Sequence, residues 1–175
     1  MKSFEIENIR KITGAIFAGE TFDTFCVTEA SFETLFTLSI DGHVNQDYLK
    51  SADGQTEKDP DDAKTQETVK NTGAGMVTWK QIRPLCYETI KGSRLPVRFK
   101  IVFMSPPEKI QGFLEKHSIT NVLARDVKGL FINVYYENNK IQCTSGVSRV
   151  SFSMDRSLEE AWDESVEGFM KRFMQ

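Results

Sequence analysis

Hydrophobic positions along this chain keep one of two periods, and the period assigns each stretch. Phe4 and Ile6 alternate with polar neighbours as a short strand. From Asn8 the period lengthens. Ile9, Ile12, Ile16 and Phe17 recur at three and four, which predicts a helix with Asn8 as N-cap and Gly19 as its end. Thr21 to Glu29 and Phe32 to Asp41 are rich in Thr, Phe and Val and predict two neighbouring strands joined at Ala30-Ser31. In the second strand Phe32, Thr34, Phe36, Leu38 and Ile40 share one face.

The stretch Trp79–Met104 carries the strongest pattern. Trp79, Ile82, Cys86 and Ile90 form one helical stripe, which Pro84 either kinks or restarts and Gly92 stops. Leu95, Val97, Phe99, Ile101 and Phe103 then alternate as the apolar face of a strand that begins near Pro96. Ser105-Pro106-Pro107 opens another helix, with Ser105 as cap and Ile110, Phe113 and Leu114 inward, ending near His117. Gly129–Tyr136 and Ile141–Gly146 read as strands around the turn Glu137-Asn138-Asn139-Lys140. Ser148–Met154 continues the meander, with Val150, Phe152 and Met154 on one face. Ser157-Leu158-Glu159-Glu160 reads as a capping box before a helix with the stripe Leu158, Ala161, Trp162, Ser165, Val166, Phe169 and Phe173. The sum is an α+β fold: a mainly antiparallel sheet of about six strands packed with about four helices, all in a single domain spanning 1–175.

Composition interrupts this pattern once. Residues 46–75 contain almost no large apolar side chains, and Asp41–Lys70 holds eight acids against four bases. The expectation is a long, mobile acidic loop inserted between elements. The three cysteines, Cys26, Cys86 and Cys143, are far apart and lack any CxxC, which argues for reduced thiols. No run of apolar residues is long enough to cross a membrane, and the N-terminus lacks the apolar core of a signal peptide. These features predict a cytoplasmic protein.

Charge brings the Trp79–Met104 stretch forward again. Lys80, Arg83, Lys91, Arg94, Arg98 and Lys100 face only Glu88 between positions 80 and 100, a local balance of +5 in a chain of net charge -3. These six residues are the candidate surface for an acidic protein or other anionic ligand. A sequence pI near 5.5 lies far below that of a nucleic-acid binder, which makes nucleic acid the lesser reading of the same surface.

Catalytic constellations are absent from the sequence. Asp41 and His43 lie at a strand end and form the weak candidate for an enzyme site, though Asp-Gly-His also reads as a tight turn. No HExxH or cysteine cluster supports a metal, and no cofactor is expected. Asp59-Pro60-Asp61-Asp62 fails the calcium-loop pattern, because Lys64 and Lys70 stand where Gly and Glu are required. Lys128–Tyr135 matches an RNA-recognition consensus only at its ends, and Gly73-Ala74-Gly75 lacks the rest of a phosphate loop.

The blocks TFDTFCVTEASFETLFTLSIDGHVN, WKQIRPLCYETIKGSRLPVRFKIVF, GLFINVYYENNKIQCTSG and SLEEAWDESVEGFM resemble a family of uncharacterised proteins from clostridia and related anaerobic gut bacteria. The resemblance covers nearly the whole chain outside the acidic loop. It implies a cytoplasmic bacterial protein and supplies no catalytic residue. The resulting functional expectation is a non-catalytic binding or interaction module built on the 79–104 segment. An unfamiliar enzyme at Asp41 and His43, and a nucleic-acid binder, are its alternatives.

Overall fold

The alternating stretches become six strands: β1 (Ser3–Ile6), β2 (Cys26–Glu33), β3 (Thr37–Asp41), β4 (Arg98–Met104), β5 (Val127–Glu137) and β6 (Lys140–Arg149). In the computed structural model, which describes residues 1–48, 75–92 and 94–174, they form one antiparallel sheet in the order β1-β6-β5-β4-β2-β3. The helices are α1 (Ile9–Phe17), α2 (Trp79–Ile90), α3 (Ile110–Lys116) and α4 (Ser157–Met170), with short 3-10 turns beside α3, β5 and α4. The expected fold class is therefore the observed one. Of the acidic stretch 46–75, residues 49–74 lie outside the described residues. Gln46–Tyr48 are helical, and the Asn45 Oδ1 accepts from the Asp47 and Tyr48 amides at 3.0 and 3.2 Å.

Strand register explains the core. One row of side chains crosses the whole sheet as Phe4, Cys143, Val134, Ile101, Ala30 and Ile40. A second row runs Ile6, Ile141, Tyr136, Phe99, Phe32 and Leu38. The helices cover this apolar face. Trp79 of α2 is fully buried, with its ring 5.3 Å from Phe103 and 5.8 Å from Phe17. Its indole N–H donates to the Ile16 carbonyl at 2.6 Å, so burial of the ring leaves no orphan donor. Pro84 sits inside α2, which stays one helix through it. Gly92 follows the helix with φ 150°, a conformation that favours glycine.

Several boundaries differ from the sequence expectation. Ala30-Ser31 is the middle of β2, not a turn; the chain reverses at Thr34-Leu35-Phe36, where the Thr34 amide donates to the Phe36 carbonyl at 2.9 Å. That turn lacks Gly, Asn and Pro, so nothing in its composition marks it. It leaves Leu35 99% exposed. The apolar face of β4 begins at Phe99; Leu95 and Val97 are exposed because the strand starts only at Arg98. The meander ends at Arg149, and Val150, Phe152 and Met154 are exposed on the connection to α4. Ser105 is not a helix cap: its amide donates to Leu130 at 2.8 Å, and Pro106 precedes the helical turn.

The start of α4 is capped differently from the expected box. Ser157 is its first helical residue, and the Asp155 carboxylate accepts from the Ser157 amide at 3.2 Å and hydroxyl at 2.7 Å. Asn121 donates to the same carboxylate at 2.7 Å, and Arg149 donates to the Asp155 carbonyl at 3.0 Å. The Ser157 bonds, from side chain and backbone, hold the Asp155 carboxyl below its ordinary 3.8. A depressed carboxyl stabilises the fold above its unfolded pKa, and that contribution disappears as pH falls through the folded value. Asp155→Asn should therefore flatten the loss of stability below about pH 4, read as urea midpoints across an acid series. Parallel acid limbs for the variant and the wild type would remove Asp155 from this role.

Candidate binding groove and the basic window

The six cations of the 79–104 stretch do not share one surface. α2 packs on the apolar face of the sheet, whereas Arg98 and Lys100 alternate with Phe99 and Ile101 and therefore point to the opposite, wet face. Each β4 cation is also met by carboxylates from its neighbours. Arg98 lies between Glu33 of β2 at 3.0 Å and Glu137 of β5 at 3.6 Å, and Lys100 reaches Glu29 at 2.9 Å. On the helix layer, Lys91 pairs with Glu88 one turn back. Arg83 turns inward to Asp23 at 3.0 Å and donates to the Gly19 carbonyl. Lys80 and Arg94 are exposed and have no carboxylate partner among the described residues. The exposed pairs of Arg98, Lys100 and Lys91 contribute little stability, but they neutralise part of the field that the sequence balance implied.

Asp41 and His43 do come together. The His43 Nδ1 lies 2.5 Å from the Asp41 Oδ1, and the His43 amide donates to the same oxygen at 3.0 Å. The backbone bond and then the ring bond from His43 hold the Asp41 carboxyl low. The pair is largely exposed at the end of β3. A nucleophilic thiol to complete such a site is not supplied: all three cysteines are buried, and burial pushes Cys26 up to about 11 and Cys86 and Cys143 up to about 12. Among the described residues no cluster of three or more His, Cys, Asp or Glu could hold a metal ion.

The feature that sequence reading missed is a groove of about 890 Å³ at one end of the sheet. α1 and α2 wall it, and the Leu95-Pro96 connection crosses one side. Its apolar lining includes Phe17, Tyr87, Ile90, Leu95, Phe99 and Tyr136. Phe99 and Tyr136 come from adjacent strands in register and stack at 5.1 Å and 11° between planes. Phe17 of α1 meets Phe99 edge-on at 5.6 Å. Polar groups gather at the α1 side: Glu7, Asn8, Arg10 and Thr13, with Asn139 from the β5–β6 turn. The Thr13 hydroxyl is spent on its own helix, donating to the Ile9 carbonyl at 2.7 Å. Arg10 is exposed and has no carboxylate partner among the described residues. A site of this volume, apolar with few polar groups, suits a small-molecule ligand. The sequence signals for it are the 13 phenylalanines, which point to an aromatic-rich core or an apolar groove, and Leu95, an apolar residue in phase with the core yet separated from it by Pro96.

Two further observations complete the picture. No helix of the described residues is long and apolar enough to cross a membrane. No curated protein and no solved structure matches the chain. Residues 15–174 do match the model of a family of unknown function (DUF5721), and with nearly the whole chain covered the protein belongs to that family.

Proposed function

We propose that the protein is a non-catalytic binding module of the bacterial cytoplasm, whose site is the groove between α1 and α2. The carrying observation is the aromatic-lined volume itself, backed by the buried stacked pair Phe99 and Tyr136 and bordered by the exposed side chains of Tyr87 and Leu95. Arg10, a cation at the rim with no carboxylate partner among the described residues, favours a ligand with an apolar body and an acidic group. The 79–104 stretch keeps its role in this reading, but through Tyr87, Ile90, Leu95 and Phe99 rather than through its charges. Lys80 and Arg94 are the members of the basic window left to meet an anionic partner. Unpaired, reduced cysteines and the resemblance to clostridial proteins support the compartment and the source.

A fluorescent anionic naphthalene sulfonate is the first probe. It should bind the folded protein at one site, and Leu95→Glu should weaken that binding about tenfold, the effect of roughly 1.4 kcal/mol. Leu95 is 74% exposed, so the substitution should leave the melting temperature unchanged. Equal binding to both proteins would remove the groove as the site.

A further inference from the structure

We propose that β3 is a pairing edge at which two copies of this chain join antiparallel, with the twofold axis at Ser39. The backbone sets the direction of its hydrogen bonds. The Gly42 amide donates to Thr28 and the Thr34 amide to Phe36, so the even positions of β3 face β2. Thr37, Ser39 and Asp41 therefore aim their N–H and C=O groups away from the sheet. The free edge ends there, because the next outward amide, that of His43, is taken by the Asp41 side chain.

Sheet edges usually carry a device against such pairing: a lysine, a proline, a bulge or a covering element. The opposite edge, β1, has several. It is four residues long, carries Glu5, and follows Lys2 and the N-terminal amine, which are tied to Glu167 and Asp163 of α4. Thr37-Leu38-Ser39-Ile40-Asp41 contains no lysine, proline or bulge, no described element covers its outer edge, and Asp41 is its single charge.

The edge is complementary to itself. About Ser39, antiparallel pairing sets Thr37 against Asp41 of the second copy, Ser39 against Ser39 and Leu38 against Ile40. No like charges meet. The two apolar rows of the core reach β3 at Leu38 and Ile40, which are only half-buried, and the second copy continues both rows with the same two side chains. The result is a closed, isologous dimer with one sheet running through it.

Sedimentation of the full chain across a concentration series tests the pairing. The wild type should pass from monomer to dimer. Ser39→Lys should weaken association at least tenfold by placing like charges across the axis. Ser39→Pro should do the same by removing the central outward donor, which has no partner among the described residues. Both should keep the wild-type melting temperature measured at monomeric concentration. Register is read separately: Ser39→Cys should cross-link to its mate under mild oxidation, whereas Thr37→Cys should not, because Thr37 faces Asp41. The native thiols are buried and should not compete. A monomer at every concentration would overturn the proposal and leave the edge to a foreign extended peptide. A dimer indifferent to both Ser39 variants would overturn it as well.

Discussion

Gly42→Ala should lower the melting temperature by about 10 °C, the largest effect expected from any single methyl group in this protein. A Cβ at position 42 would lie 1.7 Å from the Val27 carbonyl oxygen and 2.6 Å from its carbon. Both obstacles are backbone, so no rotamer change relieves them. The backbone there is committed in two directions: the Gly42 amide donates to Thr28 at 3.1 Å, and its carbonyl accepts from Val77 at 2.8 Å. Val77 in turn accepts from the Val27 amide at 2.9 Å. The returning chain at 75–78 is thus wedged between the end of β3 and the start of β2, and Gly42 sits where all three segments touch. Relief of the clash must break one of these bonds. The cost is about 3 kcal/mol or more, and each kcal/mol moves the midpoint by roughly 2–4 °C in a domain of this size. Gly14→Ala is the control, since nothing lies within 4 Å of its Cβ position and the residue is inside α1. If calorimetry showed the two variants shifting alike, the close approach at Gly42 would not be a real constraint.

Arg83→Met should destabilise the fold by about 3 kcal/mol, and Asp23→Asn in the same background should recover much of the loss. Asp23 is only 9% exposed, and Arg83 lies 3.0 Å from its Oδ1. That oxygen has no hydrogen-bond partner, so the contact is Coulombic rather than directional. Removing one member of a buried pair leaves an uncompensated charge, which costs about 3–5 kcal/mol. The lower end applies because the Arg83 side chain remains 20% exposed and partly solvated. Chemical denaturation of the two variants decides the matter. An unchanged midpoint for Arg83→Met, or a double variant no better than the single, would contradict the role. The geometry holds Arg83 between Asp23 and the Gly19 carbonyl, turned inward from the helix surface.

Both residues show how a local reading misplaces a role. Asp-Gly-His at 41–43 looks like turn chemistry, but Gly42 is required for lack of a side chain beside Val27, a neighbour that only strand pairing supplies. Arg83 belongs to the wet face of an isolated helix, yet Asp23, 60 residues earlier in the sequence, draws it inward. The hairpin turn at Thr34–Phe36 was illegible for the opposite reason: its residues carry no turn preference, and the closure depends on β2 and β3 matching faces. The groove could not be placed from the sequence because its lining comes from three separate parts of the chain, α1, the α2–β4 segment and the β5–β6 hairpin, which only the tertiary fold brings together.

The sequence by itself determined the fold class, the β5–β6 hairpin with its Asn138-Asn139 turn, and most of the helices. Those features depend on the period of apolar residues and on turn residues in direct succession, both short-range properties. The tertiary structure alone decided which acid meets which base, where the groove lies and which strands stand at the edges of the sheet among the described residues. Glu29, Glu33 and Glu137 reach β4 only because β2 and β5 flank it in register. Charge along a chain is additive, whereas a surface field depends on which distant segments fold beside each other, and pairing order is a long-range property that no local period encodes.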